Sequence, residues 1–259
     1  MTLMDDQHER PPSAPGAAAV PPQGAAHSPE HDALLREAAD PALTEDRALA
    51  LLERADLAAD TIEQLAKNRS ILKLRKIKIA LACHPRAPRR VSMPLIRQFY
   101  TFDLMKVALS PAVPGDVKLR ADETLIARLK TTAQGERSTL ARRASGNVAG
   151  ALLLDEEERI MRTALENGRL TEAHVVQAVA KPEAGAALVQ AVSRHEKWSR
   201  RHEIQLALLR TGHLSLAKAL AFTRDMSHKH LTEILQTSRL PEKIKDHLQR
   251  DLQNKEPAP

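Results

Sequence analysis

The chain has 259 residues, a formal charge of +6, one Cys, one Trp, one Tyr and three Phe. A single cysteine excludes a disulfide framework and a four-thiolate zinc site, and no apolar run approaches the roughly 18 residues of a membrane span. The first residues, Met1 to Asp6, are acidic and lack the apolar region of a secretory signal. We therefore expect a cytoplasmic protein without membrane association, with Cys83 reduced.

Residues 1–30 are predicted to be a disordered Pro/Ala-rich tail. Six prolines lie between residues 9 and 30, and Val20 is the one large apolar residue there. Such a segment buries too little surface to offset the entropy of ordering. The remaining chain is predicted to form the first half of a helical array (31–125), a divergent middle unit and linker (126–169) and a second half (170–254).

From about His31 onward the composition predicts helices joined by short turns. Ala, Leu, Glu, Lys and Arg are abundant, and all of them favour helix. Helix-start signals precede apolar periodic stretches at Thr44, Thr171, Ser215 and Pro241. We therefore expect many helices of about ten residues each.

One segment, 72–81, permits two interpretations. It alternates apolar and basic residues over part of its length, which is typical of a half-buried strand. However, Ile77, Ala80 and Leu81 follow helical spacing, and no neighbouring segment offers a strand partner. We predict a helix.

The chain contains an internal duplication. A shift of 127 residues places 43–125 on 170–252 without a gap. Apolar and turn positions coincide in pairs, such as Ile62 with Val189, Ile77 with Ile204, and Pro114 with Pro241. Within this period a turn at Gly168 returns 44 residues later at Gly212. Because 127 is about three times 42, we expect five to six units of the length found in HEAT and armadillo arrays, which stack on their neighbours.

The turn His84-Pro85-Arg86-Ala87-Pro88 resembles the Asn-Pro-x-Thr-Pro turn of leucine-rich-repeat-variant and HEAT-like helical repeats. The run 135–143 looks like the linker between the halves of an uncharacterised group of bacterial HEAT-like proteins, and Trp198 fits that group as well. The resemblance covers residues 43–252. It implies an all-α fold, a right-handed α-solenoid of HEAT-like repeats, and no reaction.

The positive charge is concentrated in one stretch. Between Gln64 and Phe102 there are ten basic residues and no acidic residue, whereas the rest of the chain is slightly acidic. Lys and Arg on one surface bind polyanions through counterion release, although a charge run is more often a solvated face spread over several helices. The candidate residues for binding a polyanion or a partner are Lys73, Arg75, Lys76, Lys78, Arg86, Arg89, Arg90 and Arg97.

Phe99, Tyr100 and Phe102 adjoin this basic stretch. They would stack bases in a nucleic-acid groove, but such a trio is more often the core of a helix pair, because aromatic side chains bury much apolar area. We therefore expect the trio to be core, and Trp198 to anchor the core or a contact between repeats.

No catalytic signature is present: the sequence lacks G-x-S-x-G, a Walker loop and G-x-G-x-x-G. His195 and His202 are seven residues apart and would share a helix face, but no H-E-x-x-H spacing or second thiol completes a zinc site. The cluster 155–158 is explained as acidic residues in the first turn of a helix. We expect no metal, cofactor or catalytic residue.

Three functions remain. The leading hypothesis is a non-enzymatic scaffold that binds an unidentified partner protein on the concave face of a solenoid. The alternative is a nucleic-acid-binding module that uses the basic stretch 67–97, by fold-level analogy with HEAT-like proteins that handle DNA. A HEAT-like alkylpurine glycosylase is the third, and the few aromatic residues make it a poor fit. The sequence does not specify the oligomeric state.

Overall fold

The computed structural model describes residues 28–224 and 226–255, with side chains up to Asp251. Within these residues the chain forms sixteen α-helices, one short 3-10 helix and no strand. The predicted all-helical class is confirmed, and most of the segment 72–81 lies in a helix that begins at Arg75. The expected tail 1–30 lies outside the described residues except for its last three.

The helices follow one another through short turns. In chain order they are α1 (Pro29–Ala39), α2 (Glu45–Leu52), α3 (Ala59–Lys67), α4 (Arg75–Cys83), α5 (Arg89–Ile96), α6 (Thr101–Leu109), α7 (Gly115–Arg128), α8 (Gln134–Arg143), α9 (Gly146–Leu152), α10 (Glu158–Leu165), α11 (Glu172–Ala180), α12 (Ala186–Arg194), α13 (His202–Leu209), α14 (Leu216–Thr223), α15 (His228–Thr237) and α16 (Glu242–Lys255).

Local capping explains where several helices begin. Ser28 Oγ accepts a hydrogen bond from the His31 N–H (3.3 Å) and Pro29 occupies the first turn, so the expected boundary at residue 31 falls inside α1. Thr44 caps α2 in the same way, accepting from the Arg47 N–H at 3.4 Å. The four predicted helix starts correspond to α2, α11, α14 and α16.

The helices pack mainly against their next-but-one neighbours. One series contains α1 with α3, α5 with α7, α7 with α9, α9 with α11, and α11 with α13. The other contains α2 with α4, α4 with α6, α8 with α10, α10 with α12, and α14 with α16. We call these two series the odd row and the even row. Consecutive helices join the rows, and α6 and α7 form an especially close pair.

The internal duplication coincides with helix boundaries. Six helices from α2 to α7 begin 127 residues before α11 to α16, for example at Glu45 and Glu172, and at Gly115 and Glu242. The matched apolar positions Ile62 and Val189 are both fully buried. Because the offset spans nine helices, an odd number, corresponding helices lie in opposite rows.

The predicted unit length corresponds to three helices, whereas each row contains every second helix of the chain. Helices α2, α5, α8, α11 and α14 begin at residues 45, 89, 134, 172 and 216. A unit of this length therefore changes rows from one copy to the next.

A repeated side-chain contact, which we call the turn clasp, closes four of the turns. Asn68, His84, Asn167 and His195 each follow a helix, and the side chain of each accepts a hydrogen bond from the backbone N–H two residues later, at 3.1, 3.1, 2.8 and 3.2 Å. The other end of each side chain reaches back to the end of the helix two places earlier. The clasp therefore joins neighbouring helices of one row.

The backward contacts of the clasp satisfy helix ends. Asn167 Nδ2 donates to the carbonyls of Ala141 (2.8 Å) and Ala144 (3.2 Å) at the end of α8. The corresponding acceptors are the Ala38 and Asp40 carbonyls for Asn68, the Arg54 carbonyl for His84, and the Glu166 carboxylate for His195. The last carbonyls of a helix have no partner within it, and in three of the four clasps the side chain supplies one; His195 instead contacts a carboxylate side chain.

Trp198 and Arg128 make the same kind of contact. Trp198 is 1 % exposed and its Nε1–H donates to the Leu165 carbonyl at 3.0 Å, so the predicted anchor is confirmed. Arg128 of α7 donates to the carbonyls of Phe99 (2.7 Å) and Arg97 (2.9 Å), beyond the end of α5. These contacts again join helices of one row.

Asn167→Ala tests the clasp. The substitution leaves buried carbonyls without a donor, so we expect a loss of about 2–3 kcal/mol in the free energy of unfolding, measured by urea denaturation followed by far-UV circular dichroism. Gln236→Ala, on the exposed side of α15, is the control and should change it by less than about 0.5 kcal/mol. Equal effects of the two substitutions would contradict a stabilising role for the clasp.

Candidate functional site

The structure divides the basic stretch between the two rows. Arg75 and Lys76 open α4 in the even row, whereas Arg89 and Arg90 open α5 in the odd row. Each is paired with an acidic residue of a neighbouring helix. The pairs are Arg75 with Asp103 (2.7 Å), Lys76 with Glu45 (3.3 Å), Arg89 with Asp116 (2.6 Å) and Arg90 with Glu63.

These ion pairs explain how the first turns of α4 and α5 accommodate basic residues. The first turn of a helix carries partial positive charge, which disfavours a basic side chain there. In α4 and α5 the first turn is basic, and carboxylates of flanking helices oppose that charge. The partners lie 27 to 31 residues away in sequence, outside the stretch, as with Glu45 and Asp116.

The other four candidates are spread along the same segment. Lys78 Nζ donates to Gln98 Oε1 at 3.1 Å, and Arg86 donates to the Asp56 carbonyl at 2.8 Å. Lys73 and Arg97 are exposed in the turns before α4 and after α5. Six of the eight residues therefore contact a neighbouring helix or turn, and these contacts are divided between the two rows.

Among the acidic partners in these four pairs, Asp103 is the most buried. Two parallel hydrogen bonds of 2.9 and 2.7 Å join the Arg75 guanidinium to the carboxylate, whose side chain is 7 % exposed. The hydrogen bonds that Arg75 donates to the Asp103 carboxylate raise the pKa of Arg75. The guanidinium also lies 5.4 Å from the centre of the Tyr100 ring.

The expectation that all three aromatic residues are core is wrong for two of them. Phe99 is buried, but Tyr100 is 71 % and Phe102 41 % exposed. Tyr100 is the N-cap of α6, and Phe102 lies off the buried face of that helix, which includes Leu104 and Val107.

Exposed apolar residues are concentrated in one hairpin. Leu119 (51 %) and Ile126 (37 %) on α7 join Tyr100 and Phe102 as the large exposed apolar residues of the described chain. All four therefore belong to the α6–α7 pair. The sequence signal for the two on α7 was their position off the buried stripe of that helix, formed by Val117, Ala121 and Leu125.

Leu119 and Ile126 border a groove of about 270 Å³ on the odd row, which we call the α7 groove. Small residues of α9 and α11, among them Gly150, Ala151 and Ala178, also line it. A Cβ on Gly150 would lie 3.2 Å from the His174 Cβ, so α9 and α11 approach closely there.

Further hollows follow the odd row. One of about 330 Å³ lies between α3 and α5, with Leu72 and Pro94 among its apolar residues and Arg90 at its rim. Another, of about 430 Å³, lies along α11 and α13 and shares Lys181 with the α7 groove. The even row has a more polar hollow of about 530 Å³ lined by Arg162 and other charged residues.

A buried carboxylate lines the α7 groove. Asp122 is 4 % exposed and accepts hydrogen bonds from Ser145 Oγ (2.7 Å) and Asn147 Nδ2 (2.9 Å). Asn147 Oδ1 lies 3.1 Å from His174 Nε2, and His174 Nδ1 accepts from the Thr171 N–H at 3.2 Å. Thus polar side chains of α9, supported by His174 of α11, position the carboxylate.

Two sequence interpretations of charged clusters need correction. Helix α10 begins at Glu158, so the first-turn explanation does not apply to Asp155, which forms an ion pair with Arg137 at 3.2 Å. His195 follows the end of α12 and His202 begins α13, so a turn separates them and they do not share a helix face.

In the part of the chain that the structure describes, no group of three or more His, Cys, Asp or Glu side chains is placed to hold a metal ion. Nor does any described helix combine the length and apolarity needed to cross a bilayer. No protein-family model matches the chain, and comparisons with curated proteins and with solved structures give no significant match. The resemblance to HEAT-like repeats therefore stays a prediction.

Arg75→Met tests the structural role of the basic stretch. It leaves the buried Asp103 carboxylate without its cation, so we expect the Tm to fall by about 5 °C in a thermal denaturation experiment. Adding Asp103→Asn should restore part of that loss. Arg97→Met, an exposed control, should leave the Tm nearly unchanged, and a Tm equally unaffected by Arg75→Met would contradict the role.

Cys83 provides a second test of burial. Burial raises the pKa of its thiol, with Lys106 and Ser110 acting in the opposite direction. Because the thiolate is the reactive form, we expect alkylation by iodoacetamide at mildly alkaline pH to be at least about tenfold slower in the folded protein than in urea. A mass-spectrometric time course measures this directly, since the chain has one cysteine. Equal rates would show that Cys83 is accessible.

Proposed function

We propose that the protein is a non-enzymatic helical-repeat scaffold, a solenoid of HEAT-like units, that binds a partner protein on a concave face formed by the odd row. The observation that carries the proposal is the exposure of two large apolar side chains of α7, Leu119 and Ile126, at the border of the α7 groove. Exposed apolar side chains that border a groove are typical of interaction sites.

The packing of the helices supports the solenoid part of the proposal. Helices contact their next-but-one neighbours, and the turn clasp joins them in steps of about 30 residues along the chain. An array built from contacts between neighbours extends in one direction and offers a long surface to a partner.

The position of the exposed residues supports the site. Leu119 and Ile126 lie in the central part of the array, with hollows on the odd row on either side along the chain. A partner segment lying along this row would bury them.

The nucleic-acid alternative stays a prediction with less support. It needs the basic side chains to be available on one surface, whereas Lys76, Arg89 and Arg90 each contact a carboxylate of a neighbouring helix. Salt-dependent binding of DNA or RNA that is lost with Lys73→Glu and Arg97→Glu would favour it.

The test of the proposal is affinity capture with the full-length chain and two matched variants, read by quantitative mass spectrometry. Leu119→Glu with Ile126→Glu places two charges on the α7 groove. Ala217→Glu with Ala221→Glu places the same charges on exposed positions of α14 in the even row. We expect the first variant to lose at least about tenfold of a reproducible partner, because a buried carboxylate without a counterion is costly.

The control variant should retain the partner, and both variants should fold as judged by far-UV circular dichroism. The proposal fails when no partner is reproducibly captured, or when the two variants capture it equally well.

A further inference from the structure

Asp122 differs from the other deeply buried carboxylates of the described chain in lacking a cation. The Asp103 and Asp155 side chains are 7 % and 3 % exposed, and an arginine contacts each of them. Asp122 is equally buried, yet its hydrogen-bond donors are a hydroxyl and an amide, from Ser145 and Asn147. Buried charges in proteins are normally paired.

Asp122 also lies between the two exposed apolar residues of α7. Leu119, Asp122 and Ile126 are spaced i, i+3 and i+7, which places them along one side of the helix. All three line the α7 groove. The groove therefore offers apolar contacts on either side of an anionic point.

We propose that the α7 groove binds a segment of the partner protein in which a Lys or Arg side chain is flanked by apolar residues. The cationic group pairs with Asp122, and the flanking residues cover Leu119 and Ile126. The inference rests on the proposed function and specifies the chemistry of its partner.

The chemistry of the groove fits this ligand better than a metal ion or an acidic segment. No group of three potential ligands gathers around Asp122 in the described residues, as a metal site would need. One carboxylate is sufficient for an ammonium or guanidinium group, and a charge-assisted hydrogen bond to it is strong. The apolar walls suit the methylene stems of Lys and Arg.

Other charges near the groove are compatible with this arrangement. Glu123 is already paired with Arg120 of the same helix at 3.1 Å. Lys181 also lines the groove, and it could pair with an acidic side chain of the bound partner segment. Asp122 is thus the anionic group left for an incoming cation.

The test starts from a phage library of random dodecapeptides, selected on the full-length chain and counter-selected on the Leu119→Glu, Ile126→Glu variant. We expect enriched sequences with Lys or Arg between Leu, Ile, Met or Phe. A fluorescently labelled synthetic copy of the most enriched peptide is then titrated by anisotropy.

Asp122→Asn should weaken the binding of that peptide by at least about tenfold, because the amide keeps the acceptor for Ser145 but not the charge. Asp116→Asn, on the same helix and outside the groove, is the control and should leave the affinity unchanged. Replacing the peptide's Lys or Arg by Gln should weaken binding to the wild-type chain by a similar factor and to Asp122→Asn only slightly. The binding of the two peptides to the wild-type chain can be compared without any protein variant, so this test remains valid even if Asp122→Asn unfolds.

Two results overturn the inference and leave the proposed function standing. One is a set of groove-dependent peptides without a basic residue. The other is an affinity that neither Asp122→Asn nor the peptide substitution changes, which would show that Asp122 only anchors α9. When no enriched peptide depends on Leu119 and Ile126, the groove is not a binding site, and the proposed function and the inference both fail.

Discussion

The last carbonyls of several helices are satisfied by side chains from the next helix in the same row, and this constraint links neighbouring helices along the chain. Short helices expose a large share of such groups, and none of them has a partner within its own helix. In the turn clasp, a polar side chain that follows the helix two places later donates a hydrogen bond to these carbonyls, as Asn68, His84 and Asn167 do. Because the clasp closes its own turn as well, one residue fixes both the local backbone and the contact between two helices of one row.

Ion pairs at the N-terminal ends of α4 and α5 also join neighbouring helices of one row. Arg75 and Arg90 open their helices with positive charge, and Asp103 and Glu63 of neighbouring helices oppose it. A stretch that is strongly basic in sequence is therefore a series of contacts between adjacent helices. The proposed partner surface is therefore defined less by charge than by the apolar residues that no neighbouring helix covers.

The sequence predicted the positions of the helices better than it predicted which of their side chains are exposed. Capping residues and helical spacing located the starts of α2, α11, α14 and α16, and the duplication aligned buried positions such as Ile62 and Val189. Both signals are local or repeated, so one sequence contains them. It misplaced Tyr100 and Phe102 and did not single out Leu119, because the exposure of a side chain depends on which helices pack around it. The sequence also did not predict the role of Asn167, because the carbonyls to which it donates lie 23 to 26 residues earlier in the chain.

The central claim is that a partner protein binds the odd row at the α7 groove. Site-specific photo-crosslinking in the native cell tests it most directly, with p-benzoylphenylalanine in place of Ile126 and, as a control, in place of Ala217 on α14. We predict a crosslinked partner from position 126 alone, with the crosslinked peptide containing a Lys or Arg beside apolar residues. The absence of a crosslink at position 126, or the same products from both positions, would contradict the claim.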